Sequence, residues 1–127
     1  QKIPELKVLL VYPGFKVNTA EAYGWIDSDR KEKNYRAAMI EKDIVQRPPA
    51  EWNFINSFTS PLMKRYDIYK KIFSIFKSCC CDYFNITGSG SAAFGIFTDA
   101  SNLEDAYGEI SGYCPETWIT NTLAGKP

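Results

Sequence analysis

Two apolar runs, CDYFNIT (81–87) and SAAFGIF (91–97), are separated only by Gly88-Ser89-Gly90. Both are bounded by turn chemistry and carry aromatic or β-branched residues, so both read as strands. A three-residue connection joins antiparallel neighbours, because a parallel crossover needs a dozen or more residues. Any fold open to this chain must contain that hairpin.

The other elements are placed around it. LKVLLVY (6–12) is nearly continuous in apolar residues and stops at Pro13-Gly14, which predicts a central strand. Thr19 as N-cap, Glu21 in the first turn, and Ala22, Tyr23 and Ile26 on one side predict a helix over about 19–27. Residues 28–50 are polar, with charges alternating in sign and a weak rhythm through Tyr35, Met39 and Val45. They predict a short exposed helix and a connection ended by Pro48-Pro49. Over 60–78, Ser60 as cap and Pro61 at the first helical position open the clearest helix. Leu62, Tyr66, Tyr69, Phe73 and Phe76 form its stripe at steps of three or four, a core face. Residues 102–110 form a helix capped by Ser101 or Asn102, with Leu103, Ala106, Tyr107 and Ile110 inward. TWITNTL (117–123) predicts a last strand. The order is β-α-β twice over, which predicts an α+β, ferredoxin-like fold: a four-stranded antiparallel sheet with helices on one face.

Composition narrows the chemistry. The 127 residues make one domain, 1–127, and 45% hydrophobic against 24% charged residues support a real core. Fifteen basic residues balance fifteen acidic ones, so neither nucleic acid nor a membrane is an expected partner. There is no histidine, which removes the commonest general base and metal ligand. Cys79, Cys80 and Cys81 are consecutive and Cys114 stands apart. Along a strand such neighbours point to opposite faces, so no metal site is expected; reduced, partly buried thiols in a cytoplasmic protein are. No apolar run spans a membrane and no signal pattern opens the chain. A start at Gln1, without methionine, leads to the expectation of a piece cut from a longer protein.

The glycine loop fails two familiar tests. A Walker loop would continue into Lys-Ser/Thr and a helix, and a dinucleotide fingerprint would also open a helix. Here a β-like run follows. Two readings stay open: a plain glycine-rich turn, or a concavity where backbone N–H groups and the Ser89 and Ser91 hydroxyls meet an anion or a neighbouring loop.

NITGSGSAAFGIF (85–97) resembles the third conserved motif of the GHMP kinases, the group of galactokinase, homoserine kinase, mevalonate kinase and phosphomevalonate kinase. The Thr-Gly-Ser-Gly-Ser spelling, with Phe94-Gly95-Ile96-Phe97, is most similar to the branch acting on 4-diphosphocytidyl-2-C-methyl-D-erythritol. VLLVYPGFKVNTAEAY (8–23) resembles the strand, Pro-Gly turn and Thr-led helix that open that branch's C-terminal domain. NSFTSPLMKRYDIYKKI (56–72) resembles its Asn-Asp-x-Glu segment and long helix; Asn56 matches, while Ser57 and Thr59 stand where acids are usual.

The resemblance covers nearly the whole chain and implies the C-terminal, substrate-side half of a kinase of non-mevalonate isoprenoid synthesis. Such an enzyme transfers phosphate from ATP, with Mg2+, to the 2-hydroxyl of 4-diphosphocytidyl-2-C-methyl-D-erythritol. The family's Gly-Leu-Gly-Gly-Gly-Ser-Ser loop and catalytic aspartate belong to an N-terminal ATP-binding domain and are not found here. The expectation is therefore no catalytic residue, metal or bound cofactor in this chain, and no activity for it alone. Thr19, Gly88, Ser89, Gly90 and Ser91 are expected beside the substrate or the phosphate loop, and Asn56 as a structural residue or ligand. Expected partners are the N-terminal half, the small-molecule substrate and, across an exposed wall, a second copy. The alternatives are a non-catalytic ferredoxin-like regulatory or small-molecule-binding module, and the C-terminal domain of another GHMP kinase.

Overall fold

The computed structural model describes residues 6–32 and 46–121. Its elements are β1 (Lys7–Tyr12), α1 (Thr19–Glu32), a 3-10 turn (Pro49–Glu51), α2 (Thr59–Arg65), α3 (Ile68–Ser78), β2 (Tyr83–Ile86), β3 (Ala93–Phe97), α4 (Ala100–Ile110) and β4 (Glu116–Asn121). The strands form one sheet in the order β2-β3-β1-β4, with every pair antiparallel. This is the α+β arrangement that the element order predicts, with β1 inside the sheet.

Register explains why β1 is apolar beyond Lys7. Leu9 lies opposite Gly95 and Ile119, and Val11 opposite Ala93 and Thr117, so these residues share the helix-covered face. Leu9 and Val11 are fully buried there with Leu62, Tyr69, Phe76 and Ile110. Burying a Leu, Ile or Phe side chain of this kind contributes about 1.5–3 kcal/mol. Val8, Leu10 and Tyr12 alternate to the other face and are half-buried. On that face a second aromatic cluster forms: Trp52 and Phe54 meet Tyr83 at 5.6 and 6.1 Å between ring centroids, and Tyr83 meets Phe94 at 5.9 Å.

Several boundaries differ from expectation. The single helix over 60–78 is two helices, broken at Tyr66 (φ −131°, ψ 105°). The Tyr66 ring stacks on Phe15 at 4.4 Å and meets Trp25 and Tyr69 edge-on, contacts that hold it out of helical conformation. Ser60 and Pro61 lie inside α2, and Phe58 occupies the cap position without a side-chain bond. Pro61 is tolerated at the third position because the first four amides of a helix have no intrahelical partner. α1 runs on to Glu32, and Asn18, not Thr19, caps it: its Oδ1 accepts from Glu21 N at 3.0 Å. Asp99 likewise caps α4 in place of Ser101 or Asn102, accepting from Asn102 N at 3.0 Å. Tyr23 and Tyr107, expected inward, are exposed. The rhythm through Tyr35, Met39 and Val45, and positions 122–123 of the last strand, lie outside the described residues.

The cysteine run is a turn and not a strand. Cys79 caps α3, Cys80 has φ 58°, and Cys81 leads towards β2. All four cysteines are free thiols; Cys79 and Cys114 are buried, Cys81 half-buried and Cys80 exposed. Burial, reinforced by a 3.1 Å hydrogen bond to the Glu109 carboxylate, pushes the Cys79 thiol up to about 11 from an ordinary 9.0. Burial pushes Cys81 up to about 12. The unfolded chain gives up these protons near the ordinary value while the fold keeps them. Stability from these thiols is thus full below pH 9.0 and lost as pH rises through about 11 and 12. Urea midpoints measured at pH 7, 8 and 11 are expected to hold steady and then fall; a midpoint that rises at alkaline pH would contradict the buried, protonated state.

Candidate functional site

The hairpin between β2 and β3 is built from its own backbone. Thr87 N donates to Ala92 O at 2.8 Å and Gly90 N to Thr87 O at 2.8 Å. Gly88 (φ 50°) and Gly90 (φ 90°) supply the left-handed conformations of the turn. The base of the loop is anchored in the core. The Tyr69 phenol donates to Ser91 O at 2.7 Å, and Ser91 Oγ donates to Phe15 O. Burial, with Tyr66 adding to it, holds the Tyr69 phenol well above its ordinary range, so it stays a neutral donor. A Cβ at Gly90 would stand 2.9 Å from Leu62 Cδ1 and 3.3 Å from Val17 Cγ2. Gly90 and Ser91 therefore form the loop's inner side, and Ser91 is buried with its hydroxyl already engaged.

The outer side faces an open depression of about 530 Å³. Thr19, Ser57, Gly88 and Ser89 contribute polar groups to its lining, and Tyr23, Ile55 and Phe58 apolar ones. Thr19 Oγ1 and Ser89 Oγ stand 3.5 Å apart, bringing the first residue of α1 to the loop. Two hydroxyls at that separation can both reach one ligand oxygen at ordinary O–H···O distances of about 2.7–2.8 Å. The N-terminus of the 14-residue α1 adds a partial positive charge at the same place. Asn56 enters from below: Nδ2 donates to Ile86 O and to Gly88 O, both at 2.7 Å, and Oδ1 accepts from Phe58 N at 2.9 Å.

Of the residues expected at a site, Thr19, Gly88, Ser89 and Asn56 thus come together on one depression, while Gly90 and Ser91 lie beneath it. A Cβ at Gly88 would meet nothing within 4 Å, so no crowding within the described residues requires glycine there; the positive φ does favour it. Tyr23, Ser57 and Phe58 line the depression without having been singled out as site residues. For Tyr23 the signal was available as an aromatic residue one turn past the Thr-led helix start. No described lining residue is charged, and among the described residues no three His, Cys, Asp or Glu side chains group to hold a metal. No helix among them is long and apolar enough to cross a membrane.

No family model matches the chain. A 4-diphosphocytidyl-2-C-methyl-D-erythritol kinase of Treponema pallidum is 28% identical over 109 residues, covering 78% of this chain and 37% of its own length. The corresponding kinase of Exiguobacterium sibiricum is 25% identical over 124 residues, covering 94% of this chain and 42% of its own. The chain resembles the C-terminal part of 4-diphosphocytidyl-2-C-methyl-D-erythritol kinases. It spans about two fifths of the length of these curated relatives. A solved structure of 4-(cytidine 5'-diphospho)-2C-methyl-D-erythritol kinase superposes with a TM-score of 0.76 over 98% of the chain and 45% of that structure, at 19% identity. That superposition shows that the two share their α+β fold over this region.

Proposed function

We propose that this chain is the substrate-side lobe of an ATP-dependent kinase that phosphorylates the 2-hydroxyl of 4-diphosphocytidyl-2-C-methyl-D-erythritol. The supporting observation is the meeting of Thr19 and Ser89 at 3.5 Å on an open depression, in a chain whose relatives bear that enzyme's name. Phosphoryl transfer depends on positioning and charge stabilisation more than on covalent work by the protein. Hydroxyls and a helix N-terminus suit the first task. The described residues do not fit magnesium, since no acidic cluster stands at the depression. The reading therefore assigns ATP, Mg2+ and the catalytic base to a second, nucleotide-binding lobe that docks over Gly88 and Ser89. It takes the enzyme as cytoplasmic.

The test is ADP release by the polypeptide that carries this chain together with its nucleotide-binding lobe. Turnover is expected with 4-diphosphocytidyl-2-C-methyl-D-erythritol and not with mevalonate or homoserine. The chain by itself is expected to give none. Turnover with mevalonate alone would move the chain to another branch of the family, and turnover by the isolated chain would place the catalytic groups inside it.

A further inference from the structure

β2 is the edge strand of the described sheet, so among the described residues one side of it has no neighbouring strand to meet its outward-facing groups. Asn56 meets one of these groups, Ile86 O, and two further side-chain bonds tie the neighbouring segment to the strand. The Tyr83 phenol donates to Phe54 O at 3.1 Å, Thr59 Oγ1 donates to Asn85 Oδ1, and Asn56 Nδ2 donates to Ile86 O and Gly88 O. The segment 54–59 is thereby stitched along the strand, and Asn56 is the stitch that reaches past the strand's end into the loop. Both its amide protons are spent on carbonyls two residues apart, one in β2 and one in the turn. Its Oδ1 is held by Phe58 N, which fixes which way the amide faces. This bond reaches Gly88 from 32 residues away in sequence.

We propose that Asn56 is the positioning residue of the depression: it sets Gly88-Ser89 against Ser57-Phe58, so that the two halves of the wall keep one geometry. The role deepens the kinase reading and rests on it for its effect on turnover, but not for its effect on the loop. Asn56→Asp keeps the shape and the acceptor for Phe58 N, yet turns both donors into a carboxylate facing two carbonyl oxygens. Asn56→Ala removes the amide without adding charge.

Amide hydrogen exchange on the chain separates this role from general support. In both variants the Gly90 amide, bonded to Thr87 O, is expected to exchange roughly tenfold faster, the worth of one ordinary hydrogen bond, while α3 and β1 amides keep their native rates. Gly90 exchange within twofold of native, or an equal acceleration at every amide, would overturn the proposal. In the two-lobe kinase the same variants are expected to lower kcat roughly tenfold with KM for ATP unchanged. If the native two-lobe protein shows no turnover while Gly90 still accelerates, the kinase reading fails and the positioning role stands.

Discussion

Gly95→Ala is expected to lower the unfolding free energy by about 2–3 kcal/mol, a large loss for one methyl group. Gly95 sits in β3 on the helix-covered face, and Phe76 of α3 lies directly on it. A Cβ there would stand 2.7 Å from Phe76 Cε1 and 2.9 Å from both Phe76 Cζ and Cys81 Sγ. The ring cannot retreat cheaply: Phe76 is fully buried, with Phe84 at 5.5 Å and Phe97 at 6.1 Å between centroids. A domain of this kind has only about 5–15 kcal/mol in total, so the urea midpoint should drop visibly at unchanged slope. Gly108→Ala in α4 is the control, because its Cβ would meet nothing within 4 Å among the described residues; it is expected to stabilise by about 0.5–1 kcal/mol. A midpoint for Gly95→Ala equal to the native one would mean that the ring is not seated on the strand.

Gly90→Val, in the two-lobe kinase proposed above, is expected to cut kcat about a hundredfold, since a displacement of an ångström near transferring groups costs that much. The substitution also costs about 2–3 kcal/mol of stability, because a β-branched residue must adopt φ 90° and its Cβ presses on the buried Leu62. The two effects are separated by measuring kcat per folded molecule, with the folded fraction taken from circular dichroism. A normal kcat in the folded fraction would reduce the loop to a plain turn. Gly88→Ala sharpens the comparison. Its Cβ meets nothing within 4 Å among the described residues, so a loss of turnover with little loss of stability would report a neighbour approaching from beyond them.

The succession of strands and helices was legible because its signals are local: a hairpin with three connecting residues, a nearly continuous apolar strand, and helices between them. The break at Tyr66 was not. Leu62, Tyr66, Tyr69, Phe73 and Phe76 keep steps of three and four across it, so periodicity alone reads straight through a residue that packing against Phe15 has pulled out of the helix. The caps were misplaced by one to three positions because Asn18 and Asp99 compete with equally good neighbours, and only hydrogen bonds to Glu21 N and Asn102 N decide. At the candidate site, the meeting of Thr19 with Ser89 joins residues 70 apart, and no spacing rule carries that. The loop's small residues were visible, but which of them face outward depends on Tyr69 and Phe15 holding Ser91 from below.

Asn56 and its fellow stitches close one border of the ribbon. A foreign extended peptide approaching β2 would find Ile86 O already taken and side chains of segment 54–59 in its path. Recruitment into a longer ribbon, the usual route from a small sheet to a fibre, is thereby refused on the flank that carries the glycine hairpin.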